Sequence, residues 1–589
     1  MVRARLFNLR LNRMKNITCL TILASSIALA ACGNDKFRDP NPFTPPTNVT
    51  PANVLTGINS IGFLNADAPA STLENLGALT GVVMGDQLVS VDRRPQTGYL
   101  YALGYNAAAA SLRVYVVHPD SLVATPLGQP IVAVPPAAAI GGGSVSTRFE
   151  MDFNPAVDRL RVVSTLGENY RINPNNGALV MRDGDTNING VLTSVAATAY
   201  TNSAPNLGIT TQYTVTEGAQ GSVYIQNPPN DGTLVSAKLL NPALASILGF
   251  DIAPGVNATA SNSPVMGLAY ALVKSNSASN ESIVRINLDT GAVTNNTVVN
   301  NGAGIVGLAI QKPEATSVIA LSADGTQLIR FTSNAPAITR TVTINNLTAG
   351  EALVGIDIRP ATGELFALGV NSTLNTATLY RLDPQLGDAT VIGVASSITN
   401  AAVTFPDPAT VGYGFDFNPT VDRIRVTTSN GLNLRLNPVN GGFAFKDGDI
   451  NGAVTGASAA AYTNSVETSV LAMGAAKKVT TLYVIDDATS KLTIQSPPND
   501  GTQISAMDIR VNGSVLSFTA ANGFDIPSDV RVTANNAAVA SGFGFAALTV
   551  SGSTSLYRIN LSNGNAENLG TIGTGTGLRG LALGQTHAK

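Results

Sequence analysis

DFNPAVDRLRVVSTLGENYRINPNNGALVMRDGD, residues 152 to 185, returns without a gap as DFNPTVDRIRVTTSNGLNLRLNPVNGGFAFKDGD, residues 416 to 449. Nineteen of the 34 positions are identical, and the copies lie 264 residues apart. A chain of 589 residues is too long for one ordinary domain and suits two of about 250 each. The duplication therefore sets the organisation of the whole chain as two tandem copies.

Outward from the repeat, the chain is a series of short apolar runs of strand length. Asn-Pro, Asn-Gly, Thr-Gly and Asp-Gly turns separate them, and no segment sustains a helical period. The clearest unit is LVGIDI (353–358), a turn at 359–363, ELFALGV (364–370), ATLYRLDP (377–384) and ATVIG (389–393), a four-stranded antiparallel meander. Related inner strands are expected at 88–93, 149–153, 196–200 and 247–252, and again at 353–358, 413–417, 457–462 and 523–526. Closing strands at 307–310 and 580–583 are expected to pair with opening strands near 60–64 and 317–321. Such a split closes a ring and hides the sheet edges. The fold class is all-β: two tandem β-propellers of five four-stranded blades, at 58–311 and 315–585, joined by a linker at 312–314 and ending in a tail at 586–589. One ten-bladed ring is the alternative.

The N-terminus carries Arg3, Arg5, Arg10, Arg13 and Lys15, then the apolar run LTILASSIALAA (20–31) and Cys32. This run is too short to cross a bilayer of about 30 Å and reads as a signal core. Leu29-Ala30-Ala31-Cys32 resembles a bacterial lipobox, which implies a signal peptide at 1–31 and lipidation of Cys32. Met14 is an alternative start to Met1. Gly33 after the cysteine favours the outer membrane as the address; whether the periplasmic or the surface side is left open. Residues 32–57, with Pro40, Pro42, Pro45, Pro46 and Pro51, read as an extended tether. Cys19 and Cys32 are the only cysteines, so the mature fold has no disulfide.

Processing would remove five basic residues, leaving 30 Lys+Arg against 38 Asp+Glu. This balance gives no reason to expect nucleic acid as a partner. The expected partners are the membrane, through the lipid, and an envelope or extracellular protein or glycan.

GIDIRPATGELFALG (355–369), FDFNPTVDRIRV (415–426), AAYTNS (460–465), IQSPPNDGT (494–502) and LYRINLSNG (556–564) resemble the bacterial domain of unknown function 4394 family. The first copy matches it more loosely through VDRRPQTGYLYALG, MDFNPAVDRLRV, AYTNS, IQNPPNDGT and VRINLDTG. The resemblance implies a repeat fold and export, and transfers no catalytic residue.

Six inner strands carry an aspartate at one relative place: Asp92, Asp152 and Asp251, then Asp357, Asp416 and Asp525. Lining two channels, they would offer three carboxylates per ring to a cation or a sugar. As structural groups they would cap the turns that follow. Asp447, Asp449 and Asn451 fit the opening of a calcium loop, with Asp183, Asp185 and Asn187 in the first copy; the closing glutamate is missing. Calcium is the one cofactor suggested. Arg159 and Arg161, with Arg423 and Arg425, would bind an anion or pair between blades.

His118 and His587 are the only histidines and there is no Trp. These absences argue against triad, dyad and histidine-zinc chemistry, and against sugar stacking. A carboxylate-pair hydrolase would need a channel glutamate standing apart from the repeat, and none is evident. The reading is a lipid-anchored envelope module for binding or scaffolding. The alternatives are cation or small-molecule binding in the channels and a carbohydrate-active hydrolase on the channel carboxylates. Loops 130–146 and 395–410, long and low in charge, are the candidate binding rims.

Overall fold

The computed structural model describes residues 50–119, 121–132, 147–205, 208–253, 255–274, 280–299, 304–311, 316–400, 402–466 and 479–585. The signal peptide, Cys32, most of the tether, most of loop 130–146, linker 312–314 and tail 586–589 lie outside these residues.

Ten antiparallel meanders form two rings. In the first, the inner strands are Gln87–Arg93, Phe149–Asn154, Ala197–Tyr200, Ser246–Ile252 and Val306–Ile310. Each neighbours the next in that order, and the last returns to the first. In the second they are Ala352–Ile358, Tyr413–Asn418, Ala459–Tyr462, Ala520–Asp525 and Leu578–Leu583, closed in the same way. Two five-bladed propellers result, and the ten-bladed ring is ruled out. Every inner strand has a sheet on both sides, so both its faces are buried, which is why these strands read as short continuous apolar runs.

The closing blades depart from expectation in one copy. In the second ring, Leu578–Leu583 pairs with Ser317–Ser322 as expected. In the first, Val306–Ile310 pairs with Pro51–Thr56, and Ser60–Asn65 lies one strand further out. The ring therefore begins within the segment assigned to the tether. Pro51 hid this strand: a proline tolerates the first position of a strand, where no ladder N–H is required of it.

The two rings share a core. Tyr101, Val116 and Phe153 of the first belong to one apolar cluster with Ile319, Ile358 and Ala582 of the second. Polar contacts reinforce it: Gln585 N donates to Thr97 O (2.7 Å), Ser317 Oγ to Gln96 O (2.7 Å) and Gln385 Nε2 to Ala156 O (2.7 Å). Gly98 has φ +72°, and a Cβ there would stand 2.6 Å from Gln585 O, so glycine is required for this approach. Thr97, Ala156 and Gln585 each follow an inner strand closely, so the rings meet through the ends where those strands finish.

Candidate functional site

The six repeated aspartates stand at those same ends. In each ring the trio is buried, and one carboxylate oxygen from each member lies within 4.8 Å of the others. The sequence placed them in the channel, and the structure brings them together there.

Their bonding differs from turn capping. Asp92 accepts from Arg93 N (2.6 Å) and, across the blade boundary, from Phe153 N (2.8 Å). Asp251 accepts from Ile252 N (2.7 Å) and Ile310 N (2.7 Å), while Asp152 reaches Tyr200 N (3.1 Å). The second ring repeats the scheme: Asp357 to Phe417 N (2.8 Å), Asp416 to Tyr462 N (2.8 Å) and Asp525 to Leu583 N (2.7 Å). Each aspartate is thus a staple from its own inner strand to the next. Inner-strand edges face the channel, so their N–H groups need acceptors that no further strand supplies.

Three carboxylates at this separation cannot all be ionised cheaply. At 4.8 Å and an effective dielectric of about 20, each pair of negative charges repels by roughly 3.5 kcal/mol. Burial pushes Asp357 up to about 6. Burial, with the neighbouring carboxylates, pushes Asp416 and Asp525 well above the usual range. A proton or a cation must therefore sit among them at neutral pH.

The first channel holds a further carboxylate that the sequence reading missed. Glu150 lies two residues before Asp152 and is 3% exposed, and its Oε1 has no hydrogen-bond partner. Burial raises its pKa well above normal, with Asp92 and Asp251 adding to the effect. The second copy has Gly414 at this place. A glutamate standing apart from the repeat does exist, and comparing the copies residue by residue finds it.

The calcium-loop residues are arranged differently from an ion site. Asp447 accepts from Arg425 Nη1 (2.5 Å) and from Arg435 Nε (2.8 Å) and Nη2 (2.7 Å). Asp183 is held likewise by Arg161 and Arg171. Asp449 meets Lys446 (2.9 Å), and Asp185 lies 3.5 Å from Arg182. Asn451 and Asn187 turn their amide nitrogens inward as donors to backbone carbonyls. Guanidinium groups fill the place an ion would need, so the loop reads as polar wiring between blades. Arg161 and Arg425 also reach across it to Asn230 and Asn499. Arg159 instead faces Asp383 of the other ring at 3.6 Å.

At the opposite end of the second ring, where the inner strands begin, is a funnel of about 380 Å³. Pro408, Tyr413, Asp487, Asn522, Thr549 and Arg579 are among its walls. Loop 395–410, expected as a rim, borders it through Pro408, Ala409 and Thr410. Below it the channel narrows to about 10 Å³ among Gly355, Gly414, Gly523 and Gly580. The first copy has different residues at three key places. Arg148 and Glu217 stand where the second copy has Gly412 and Asp487, and Val306 stands where it has Arg579. Arg148 and Glu217 pair with each other at 2.5 Å. Removing that arginine leaves Asp487 without a cation among the described residues. Burial raises its pKa, and Ser458 is its hydrogen-bonding side chain.

A family model described as a domain of unknown function, DUF4394, matches residues 62–309 and 327–582. No curated protein matches the chain. Among solved structures, the chain is similar to hydrazine synthase of Kuenenia stuttgartiensis at 12% identity and a TM-score of 0.23, over 82% of this chain and 100% of that one. The Dos1 propeller aligns at 12% identity and 0.23, over 63% and 83% respectively. A nidogen/laminin complex aligns at 9% identity and 0.25, over 45% and 99%.

Proposed function

The chain belongs to the DUF4394 family, a domain of unknown function, in two tandem copies, and from that premise we propose an envelope binding module whose ligand site is the mouth of the second ring. A lipid on Cys32 anchors it, in the outer membrane, and the Pro-rich tether gives it reach. The funnel carries this reading. Its volume of about 380 Å³ falls within the roughly 300–1,000 Å³ of small-molecule sites, and it lies on a rigid scaffold beside a long loop. The first ring supports the scaffold: its corresponding mouth residues are committed to the Arg148–Glu217 pair.

The test restores that pair. Gly412→Arg puts a guanidinium beside Asp487, as Arg148 stands beside Glu217. The full chain in detergent is screened against a glycan and small-molecule array. Binders of the wild type are expected to be lost in the variant, with the melting midpoint checking the fold. Equal binding by both would place the ligand elsewhere.

The aspartate trios favour a second reading, a cation held in each channel. Such an ion would replace the shared protons. Calorimetric melting with calcium, magnesium or manganese, each against chelator, tests it. A metal-dependent rise at pH 8 that disappears at pH 5 is the expected signature. No rise with any of the three removes the reading.

A further inference from the structure

Deepening the proposed site, and resting on it, we infer that the funnel takes a small carboxylate that carries a hydrogen-bond donor on its other side. Arg579 is the first reason. Among the described residues it makes no hydrogen bond and has no carboxylate within 4.0 Å. Burial lowers its pKa, and the negative charges of Asp324 and Asp407 oppose this. Other arginines of the fold are treated differently: Arg94, Arg161, Arg359, Arg425 and Arg435 each clasp an aspartate. A guanidinium held half out of water with no partner costs stability, and the fold does not require it, because Val306 fills the same place in the first ring. Its planar fork matches a carboxylate through two parallel hydrogen bonds.

Asp487 is the second reason. It lines the same funnel, and the exchange of Arg148 for Gly412 has freed it from the ion pair that its counterpart Glu217 makes. An acceptor in this state suits an ammonium or a hydroxyl of the ligand. Asn522, Thr519 and Thr549 add polar groups to a wall that also contains Val354, Val411 and Ala521. Tyr413 donates its hydroxyl to Pro406 O (2.6 Å), so it offers the ligand its ring. The second ring therefore lacks the first ring's salt bridge and has an unpaired cation at the same mouth. An α-amino acid and a sugar acid both present the required chemistry.

The experiment uses the full chain in detergent and isothermal titration at low salt, with glucuronate, glutamate and glucose as probes. Glucuronate or glutamate is expected to bind at least tenfold more tightly than glucose. Arg579→Val, which copies the first ring, is expected to remove that preference without lowering the melting midpoint. Asp487→Asn is expected to weaken glutamate more than glucuronate if the ligand is an amino acid, and both alike if it is a sugar acid. An unchanged acid preference in Arg579→Val overturns the inference, as does the binding of none of the three probes. Gly412→Arg separates this failure from failure of the underlying reading. If glucose binds and Gly412→Arg blocks it while Arg579→Val has no effect, the funnel stands as a site and the carboxylate assignment falls. If Gly412→Arg changes nothing for any bound probe, the funnel itself is wrong.

Discussion

The aspartate trio of the second ring makes stability depend on pH in an unusual direction. A group whose pKa is raised on folding contributes stability that is fully present below its unfolded value and is lost as pH rises through its folded value. Asp357 moves from an ordinary 3.8 to about 6. Two titration curves with these midpoints differ by about 1.4 kcal/mol between pH 5 and pH 8, at 1.36 kcal/mol per unit. Asp416 and Asp525 are also pushed up and act in the same direction. Asp67 and Asp324, whose pKa values are lowered, act oppositely but only below about pH 4, outside this window. The chain is therefore expected to be more stable at pH 5 than at pH 8 by at least about 1.4 kcal/mol in chelator, measured as denaturant midpoints with a constant slope. Asp416→Asn is the control. Its amide oxygen can still accept from Tyr462 N, and its amide nitrogen can donate to Asp357, so it mimics the protonated state. The variant is expected to flatten the profile by gaining stability at pH 8. A flat or inverted wild-type profile, or no flattening in the variant, would refute the account of the trio.

Three further outcomes are expected. Asp158→Ala strands the fully buried Arg94, which Asp158 meets at 2.9 Å through Nε, and should cost about 3–5 kcal/mol. The matching Asp422→Ala touches a partly exposed pair, with Asp422 35% exposed, and should cost about 1 kcal/mol or less; denaturant unfolding of both variants checks the contrast. Glu150→Gln removes a buried carboxylate with an unsatisfied oxygen, so the melting midpoint should rise at pH 8 and rise less at pH 5. Cys32→Ser should move the chain from the membrane fraction to the soluble one, with mass spectrometry of the wild-type N-terminus showing the lipid.

Period and punctuation were enough to read much of this protein. The duplicated DFNP and DGD segments, the strand-length apolar runs and the split closing blade pointed to ten blades in two copies, because a blade's pattern is local and repeats; that they close as two rings of five and not as one of ten came from the inner-strand neighbours. The channel position of Asp92, Asp152 and Asp251 and their copies was legible for the same reason. Tertiary structure decided what those residues do. Whether a carboxylate caps its own turn or staples the next blade depends on which N–H groups the ring closure brings near, and ring closure joins residues some 60 apart, as in Asp92 and Phe153. The calcium-like loop is similar: Arg425 and Arg435, 22 and 12 residues before Asp447, reach its carboxylate through the pairing of neighbouring strands within one blade, which the loop's own residues do not reveal. The opening strand at Pro51–Thr56 was hidden by a proline-rich composition that a sheet edge overrode. The funnel lay in the differences between the copies, at Gly412, Asp487 and Arg579. A repeat reveals its scaffold where the copies agree, but only the folded ring shows that these three departures converge on one mouth.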